Sequence, residues 1–232
     1  DPNYRLVASP EEVCTEVLAG NSAEGIFEVC YDDSRGEYKD FGSYIGGTVE
    51  KWPVLKGTTP ASRRKFFIRN ETVERLYTPE DLRLQAYFAD FFRMKEEPVS
   101  VTQGAAYIRM WREVEYYSGG IYDGTPRTLL ANDILIRLPD ILLLRAEMKA
   151  ATGDREGAVA DLDVVRRRAG VAGYSEAEGD LRRAIQLERD RELLFQTGVR
   201  YFDYMRNHTY NLLKGGFRDL TETDVAAGAL FL

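Results

Sequence analysis

The chain has 232 residues, of which 44% are hydrophobic and 30% are charged, and this composition is typical of a soluble globular protein with one large or two small domains. Its formal net charge of −7 disfavours binding to nucleic acid or to anionic lipid, because both are negatively charged themselves. No run of about 18 apolar residues occurs in the sequence, so no membrane-spanning helix is predicted.

The first residues, DPNYRLVASPEEV, contain no initiator methionine, basic segment or apolar segment of an export signal. We therefore expect any such signal to lie outside this sequence. Only two cysteines are present, Cys14 in a helical pattern and Cys30 after an apolar, strand-like run. Two cysteines are too few for a disulfide scaffold, which leaves two interpretations open: two buried thiols, or a single bridge between Cys14 and Cys30.

Two parts of the chain differ in their sequence patterns. Residues 20–130 contain the glycines, aromatic residues and turn signals of long loops between isolated elements, and we predict that a ligand-binding surface lies there. Residues 133–207 show dense helical periodicity and are predicted to form a helical scaffold. The fold class predicted for the chain is mainly α.

The segment 137–170 is predicted to be a helical hairpin. Pro139 and Asp140 suit a first helical turn, Gly153 ends the first helix, Asp154 caps the second, and Gly170 closes it. The residues predicted to form the apolar seams are Ile141, Leu142, Leu143, Leu144, Ala146 and Ala150 on the first helix and Ala158, Leu162, Val165 and Ala169 on the second. One such tetratricopeptide-like pair cannot bury both of its faces, so we expect further helices to pack on it.

A long amphipathic helix is predicted to follow at residues 181–197 and to end at Gly198. It carries Glu188 and Glu192 one turn apart. Such a pair of carboxylates is able to bind a metal or to act in acid and base catalysis, but no histidine lies nearby in the sequence. We favour the alternative that both glutamates form ion pairs with Arg166, Arg200 or a neighbouring helix.

Signals of catalysis are weak in this sequence. The single histidine, His208, is interpreted as a surface or helix-end residue, and the glycines of residues 46–51 do not form a phosphate-binding pattern. No nucleophile elbow or His/Cys metal spacing occurs, and no spacing of carboxylates points to a glycosidase. We predict a protein without enzymatic activity, cofactor or metal.

Several spaced motifs resemble the SusD/RagB family of outer-membrane nutrient-binding proteins. RLPDILLLRAEM at 137–148, LDVVRRRAG at 162–170 and LERDRELLFQTGVRYFDYMR at 187–206 are similar to its C-terminal signature. Upstream, GNSAEGIFEVCYD at 20–32 is similar to a family segment with Ser-x-Glu-x-Ile-Phe-Glu, and DLR at 81–83 to its Asp-x-Arg. LTETDV at 220–225 is similar to the family's tail. One departure is Gln196, where the family commonly has glutamate.

The resemblance implies a SusD-like fold, in which tetratricopeptide-like hairpins support long loops and a few short strands. It also implies cell-surface binding of a glycan or other nutrient and delivery to a SusC-like TonB-dependent transporter in the outer membrane. The family's N-terminal part has no counterpart here, so we expect residues 1–232 to form a single region that corresponds to the C-terminal half to two-thirds of a family member. Neither cysteine follows a signal peptide, so the lipid anchor of the full-length protein is expected outside this sequence. The alternatives are a protein-interaction module without its own glycan site and, third, a glycan hydrolase.

A glycan site needs aromatic rings on loops, because the C–H face of a sugar ring packs flat on an aromatic face while polar groups bind its hydroxyls. Two segments meet this requirement, residues 30–52 and residues 107–124. The candidate ligand-binding residues are Tyr31, Asp33, Tyr38, Tyr44 and Trp52 in the first segment and Trp111, Tyr116 and Tyr117 in the second. For each aromatic residue, packing within the core or a loop is the alternative role.

Overall fold

The computed structural model of the chain describes residues 3–32, 68–102, 104–110, 131–196 and 198–209, together with Arg35, Glu37 and Thr223. Over these residues the fold is mainly α with few short strands, as predicted. The α-helices are α1 Pro10–Glu12, α2 Asn70–Leu76, α3 Leu82–Tyr87, α4 Phe91–Lys95, α5 Val99–Thr102, α6 Leu138–Thr152, α7 Arg155–Arg168, α8 Leu181–Glu192 and α9 Val199–Arg206. The strands are β1 Gly25–Val29, β2 Ile68–Arg69, β3 Ala105–Ala106 and β4 Asp133–Arg137. Among the described helices, none is both long and apolar enough to cross a membrane.

The strands form two small antiparallel pairs, β1 with β4 and β2 with β3. In the first pair Phe27 lies opposite Ile136 and Val29 opposite Asp133, which is 104 positions later in the chain. The backbone N–H of Leu138 also donates to the carbonyl of Glu24, which brings the start of β1 to the start of α6. The strand pair therefore joins residues 20–32 to the helical hairpin.

The first helix, α1, continues into a π-helical stretch, Val13–Val17. Cys14 in this stretch is a buried thiol whose Sγ lies 3.5 Å from the carbonyl oxygen of Ala86. Cys30 is also a thiol, but it is exposed, so the expectation of two buried thiols is wrong for Cys30. The reason is that β1 pairs with a single strand among the described residues, β4, so residues at its end are left at the surface.

One hydrophobic core is built by elements that are distant in sequence. They are the N-terminal helix, residues between 73 and 110, and Ala131 and Ile134 at the start of β4. Its largest fully buried side chains are Leu76, Tyr87, Phe88 and Ile108. Aromatic contacts occur at its centre, where the centroid of the Phe195 ring lies 5.9 Å from that of Tyr87, edge to face, and 5.7 Å from that of Phe88, in a tilted arrangement. The described part of the region predicted as loop-rich thus includes four short helices, of which α2, α3 and α4 pack into this core.

A second core lies between α6, α7 and α8, where the predicted hairpin is found. Gly153 ends α6 with a φ of 90°, and Asp154 caps α7 by accepting a hydrogen bond from the backbone N–H of Gly157. The predicted α7 seam is confirmed, because its four residues, Ala158, Leu162, Val165 and Ala169, have no exposed surface. Leu181 and Ile185 of α8 pack on the pair, as its need for neighbours predicted. The tetratricopeptide-like character of the hairpin stays a prediction.

The predicted seam of α6 is wrong for two residues. Leu143 and Ala146 are buried, and Leu142 and Ala150 pack against them. Ile141, which is 43% exposed, and Leu144, which is half-buried, lie outside the core. Four consecutive apolar residues at 141–144 cannot all face one side of a helix that turns 100° per residue, so tertiary packing selects among them.

The amphipathic helix α8 ends at Glu192, before the predicted end near Gly198. Its last carbonyl groups accept hydrogen bonds from distant side chains: Tyr77 Oη donates to the carbonyl of Arg191 at 2.8 Å, and Arg137 donates to the carbonyl of Glu192. These donors replace the next helical N–H groups, which allows the chain to turn at Leu193.

Candidate functional site

Of the eight candidate ligand-binding residues, the structure describes one, Tyr31. The other seven lie outside the described residues, and their predicted role stays a prediction; they are Asp33, Tyr38, Tyr44, Trp52, Trp111, Tyr116 and Tyr117. The segment at 220–225 also lies outside, apart from Thr223. Tyr31 is therefore the one candidate residue whose surroundings the structure describes.

Tyr31 follows β1, and its side chain is held by the neighbouring strand. Its Oη donates a hydrogen bond of 2.6 Å to Oδ2 of Asp133, the first residue of β4. Burial, this hydrogen bond and the negative charge of Asp133 raise the pKa of Tyr31 to about 12. The phenol is thus neutral at pH 7, and its hydroxyl is oriented while part of the ring remains accessible.

The motifs that resemble the family meet in a buried cluster of charges, which we call the arginine–glutamate cluster. Its members are Glu24, Asp81, Arg83, Arg137, Arg166, Arg168, Glu188 and Glu192. They come from residues before β1, the start of α3, the end of β4 and helices α7 and α8. Four arginines face four carboxylates, so the cluster is neutral as a whole.

Arg83 lies at the centre of one half of the cluster. Its Nε and Nη2 donate to the two carboxylate oxygens of Asp81 at 2.9 and 2.8 Å. Its Nη1 donates to Glu188 at 2.6 Å and to Glu192 at 3.3 Å. Asp81 also caps α3 through the backbone N–H of Arg83 at 2.9 Å, so one short motif both starts a helix and ties it to α8.

Glu192 lies at the centre of the other half. Its carboxylate accepts from Arg137 at 2.5 Å and from Arg168. Burial by itself would raise the pKa of Glu192, but the charges of Arg168, Arg137 and Arg83 outweigh that effect and lower it to about 2. Arg137 also donates a hydrogen bond to Glu24 at 2.7 Å. Glu24 in turn accepts one from the backbone N–H of Val7 at 2.8 Å.

This geometry decides the interpretation of Glu188 and Glu192. Both carboxylates form ion pairs with arginine side chains, and Nε of Arg166 lies 3.3 Å from Glu188. The ion-pair interpretation is therefore confirmed. Arg200, the other partner considered, pairs instead with Asp190 at 3.4 Å. Within the part of the chain that the structure describes, no group of three His, Cys, Asp or Glu residues is arranged to hold a metal ion.

A second buried ion cluster joins α6, α8 and α9. Arg189 donates to Asp140 at 2.7 Å and to Asp203 at 2.5 Å. Gln196, the departure from the family pattern, donates to the carbonyl of Leu135 at 2.8 Å, and its Nε2 lies 3.5 Å from Oδ2 of Asp140. A carboxylate at position 196 has no N–H to donate and would repel Asp140, so the amide suits this position.

Residues that the sequence interpretation did not single out, Arg137 and Arg168, complete the first cluster. A signal was available, because Arg137 directly follows the apolar strand residues Ile134–Ile136, where a charge requires a partner. His208 is exposed and follows the end of α9 with a φ of 54°, which confirms its interpretation as a surface residue at a helix end.

Comparisons with known proteins agree with this architecture. The sequence pattern of the SusD family matches residues 23–227. The fold is similar to a SusD homologue from Bacteroides thetaiotaomicron, with a TM-score of 0.74 and 23% identity over 98% of this chain and 46% of the other. It is also similar to surface glycan-binding protein A from Bacteroides uniformis, with a TM-score of 0.65 and 18% identity over 100% of this chain and 53% of the other.

A third similar structure is surface glycan-binding protein A from Bacteroides thetaiotaomicron in complex with laminarihexaose. It has a TM-score of 0.65 and 21% identity over 100% of this chain and 56% of the other. The chain therefore spans about half the length of these structures, and the SusD-like fold expected from the motifs is confirmed. No curated protein matches the sequence.

Proposed function

Because the chain belongs to the SusD family, we propose that the protein captures an oligosaccharide or other nutrient at the cell surface without catalysing a reaction. The observation that carries this proposal is the family match over residues 23–227. The arginine–glutamate cluster supports it, because the motifs that resemble the family form ion pairs with one another there.

An oligosaccharide is the ligand class that the comparisons favour. A similar protein was crystallised with laminarihexaose, a neutral oligosaccharide. The aromatic and acidic residues of segment 30–52 have the chemistry that such a ligand needs, and Tyr31 presents an oriented hydroxyl at its start. We assign the ligand contacts to Tyr31, Asp33, Tyr38, Tyr44 and Trp52, with Trp111, Tyr116 and Tyr117 as the second group.

Binding of a panel of neutral oligosaccharides, including laminarihexaose, tests this assignment by calorimetry and affinity electrophoresis. We expect Tyr44→Ala and Trp52→Ala each to weaken binding by about 2- to 10-fold, since each ring removes one stacking contact. Tyr4→Ala is the matched control, because Tyr4 is an exposed tyrosine outside both segments. The assignment is wrong if the panel binds and both loop variants bind as tightly as the control.

The finer part of the proposal is delivery to a SusC-like TonB-dependent transporter from a lipid-anchored position on the outer membrane. A gene for such a transporter beside the gene for this chain, and co-purification of the two proteins, are the expected results. Bound oligosaccharide should be recovered intact after incubation. A protein that co-purifies with the transporter but binds no glycan would instead be an interaction module.

A further inference from the structure

An open groove of about 640 Å³ is lined by α3, α4, the residues between them and Arg109. Its apolar floor is formed by Leu84, Phe88 and Ala89, which are buried residues of the core. The volume lies within the range of about 300–1,000 Å³ that is typical of small-molecule sites. None of the loop aromatics discussed above belongs to its described lining.

Phe92 lies in this groove and is 51% exposed. Its ring makes an edge contact with the ring of Phe91 at 5.6 Å, and Phe91 in turn contacts Phe88 at 6.3 Å. The exposed ring is thus attached to buried neighbours rather than to a mobile loop. An exposed aromatic ring on a rigid support is a suitable platform for stacking.

Acidic, basic and amide side chains line the groove together with Phe92. Asp90 is exposed and has a φ of 44°, a left-handed backbone conformation that non-glycine residues rarely adopt. Oδ2 of Asp90 lies 3.1 Å from Nε of Arg93, and Gln85 adds an exposed amide. Arg109, the other arginine of the groove, pairs with Glu11 at 2.9 Å. Because each arginine pairs with a carboxylate, the groove favours a neutral ligand with hydroxyl groups over an ion.

The groove is held in place by the arginine–glutamate cluster. Asp81 caps α3 and Arg83 ties it to α8, while Leu84 and Gln85 on the same helix line the groove. The backbone N–H of Arg109 also donates to the carbonyl of Tyr87 at 2.8 Å, which fixes the opposite wall to the end of α3. A preformed site of this kind loses little entropy when a ligand binds.

We propose that this groove is a further carbohydrate subsite, which takes one sugar ring of a neutral oligosaccharide. The C–H face of the sugar stacks on Phe92, and its hydroxyls bind Asp90, Arg93 and Gln85. The inference rests on the proposed function, since it extends glycan binding to residues that the sequence did not indicate.

The test is a titration of the whole chain with laminarihexaose, maltohexaose and cellohexaose, followed by methyl NMR. Leu84 and Ala89 carry methyl groups in the groove, and Leu162 in the hairpin core serves as an internal reference. We expect the Leu84 and Ala89 signals to shift with at least one of these oligosaccharides, while the Leu162 signal stays in place.

Variants separate stacking from indirect effects. Phe92→Ala should weaken the binding reported by the groove methyl groups by about 2- to 10-fold. Phe202→Ala is the matched control, because Phe202 is 64% exposed and contacts the preceding aromatic residue at 5.5 Å, as Phe92 does at 5.6 Å. Asp90→Asn is a second variant, which keeps a residue that tolerates the left-handed conformation and removes the charge.

Three results are informative in different ways. If an oligosaccharide binds without shifting the groove signals, the subsite is wrong and the proposed function stands. Groove shifts that Phe92→Ala and Asp90→Asn both leave unchanged would also overturn the subsite. If no neutral oligosaccharide binds, the glycan proposal fails, and the subsite fails with it.

Discussion

Arg83 and Glu188 form an ion pair of 2.6 Å between side chains that have no exposed surface. The two residues are 105 positions apart, at the start of α3 and within α8. Isolated charges are costly to bury, so this pair is tolerated because Asp81, Glu192 and Arg166 complete its hydrogen bonds. The pair joins the core that contains α3 to helix α8, which packs on the helical hairpin.

Removal of one partner of this buried pair should therefore lower the free energy of unfolding more than loss of a surface ion pair does. We expect Arg83→Met to lower the free energy of unfolding by about 3–5 kcal/mol, because it leaves buried carboxylates without their counter-charge. Arg93→Met removes the exposed pair with Asp90 and should cost less than about 1 kcal/mol. Urea unfolding monitored by circular dichroism measures both. Equal losses in the two variants would contradict a structural role for the cluster.

The cluster should also make stability sensitive to acid. The pKa of Glu192 is lowered from its ordinary value of 4.5 to about 2 in the folded protein, so the unfolded state takes up the proton first as the pH falls. Its contribution, on the order of 3 kcal/mol, is present above pH 4.5 and is lost between about pH 4.5 and 2.

Glu192→Gln tests this effect, since the variant cannot titrate at that position. It should be less stable than the parent at pH 7 and should lose less stability between pH 5 and about pH 2.5. Glu176→Gln, at a side chain that is 77% exposed, should keep the acid sensitivity of the parent. Parallel curves for the parent and Glu192→Gln would disprove the assignment.

The contact between Tyr31 and Asp133 predicts an unusual titration. The pKa of Tyr31 is raised to about 12 by burial and by Asp133, so its phenol should still be protonated at pH 11. NMR with tyrosine labelled at the ζ carbon, assigned with Tyr31→Phe, follows this group separately. In Asp133→Asn the pKa of Tyr31 should move towards 10, and an unchanged value would show that Asp133 has no such effect. Because the folded-state pKa is raised, the associated stability is present below pH 10 and is lost towards pH 12.

Aliphatic residues on the two faces of α6 should differ in how much stability is lost when each is replaced by alanine. Leu143 has no exposed surface, so Leu143→Ala should cost about 2–5 kcal/mol of stability by leaving a cavity. Ile141 is 43% exposed, so Ile141→Ala should cost clearly less. Chemical denaturation of both variants decides whether the buried face of α6 is correctly assigned, and a reversed order would mean that it is not.

Local patterns determined much of the helical part of this protein. Gly153 permits the left-handed turn that ends α6, Asp154 offers the oxygen that caps α7, and the spacing of Ala158, Leu162 and Val165 places these residues on one face. These effects act within a few residues, so they can be predicted from the sequence. The motifs that resemble the family were visible for the same reason, as short strings of residues.

Tertiary structure decided the features that depend on contacts across the chain. Whether Ile141 or Leu143 faces the core depends on where α7 and α8 lie, and the end of α8 depends on donors from Tyr77 and Arg137. The same holds for the groove beside Phe92, because residues 84–93 of its lining meet Arg109 through the bridge between Phe88 and Ile108 and the hydrogen bond from Arg109 to Tyr87. The sequence by itself determined the hairpin and the motifs, since caps and helical periodicity are local. Only the tertiary structure decided which charges are buried together and which aromatic ring remains exposed, because burial is set by the packing of distant segments.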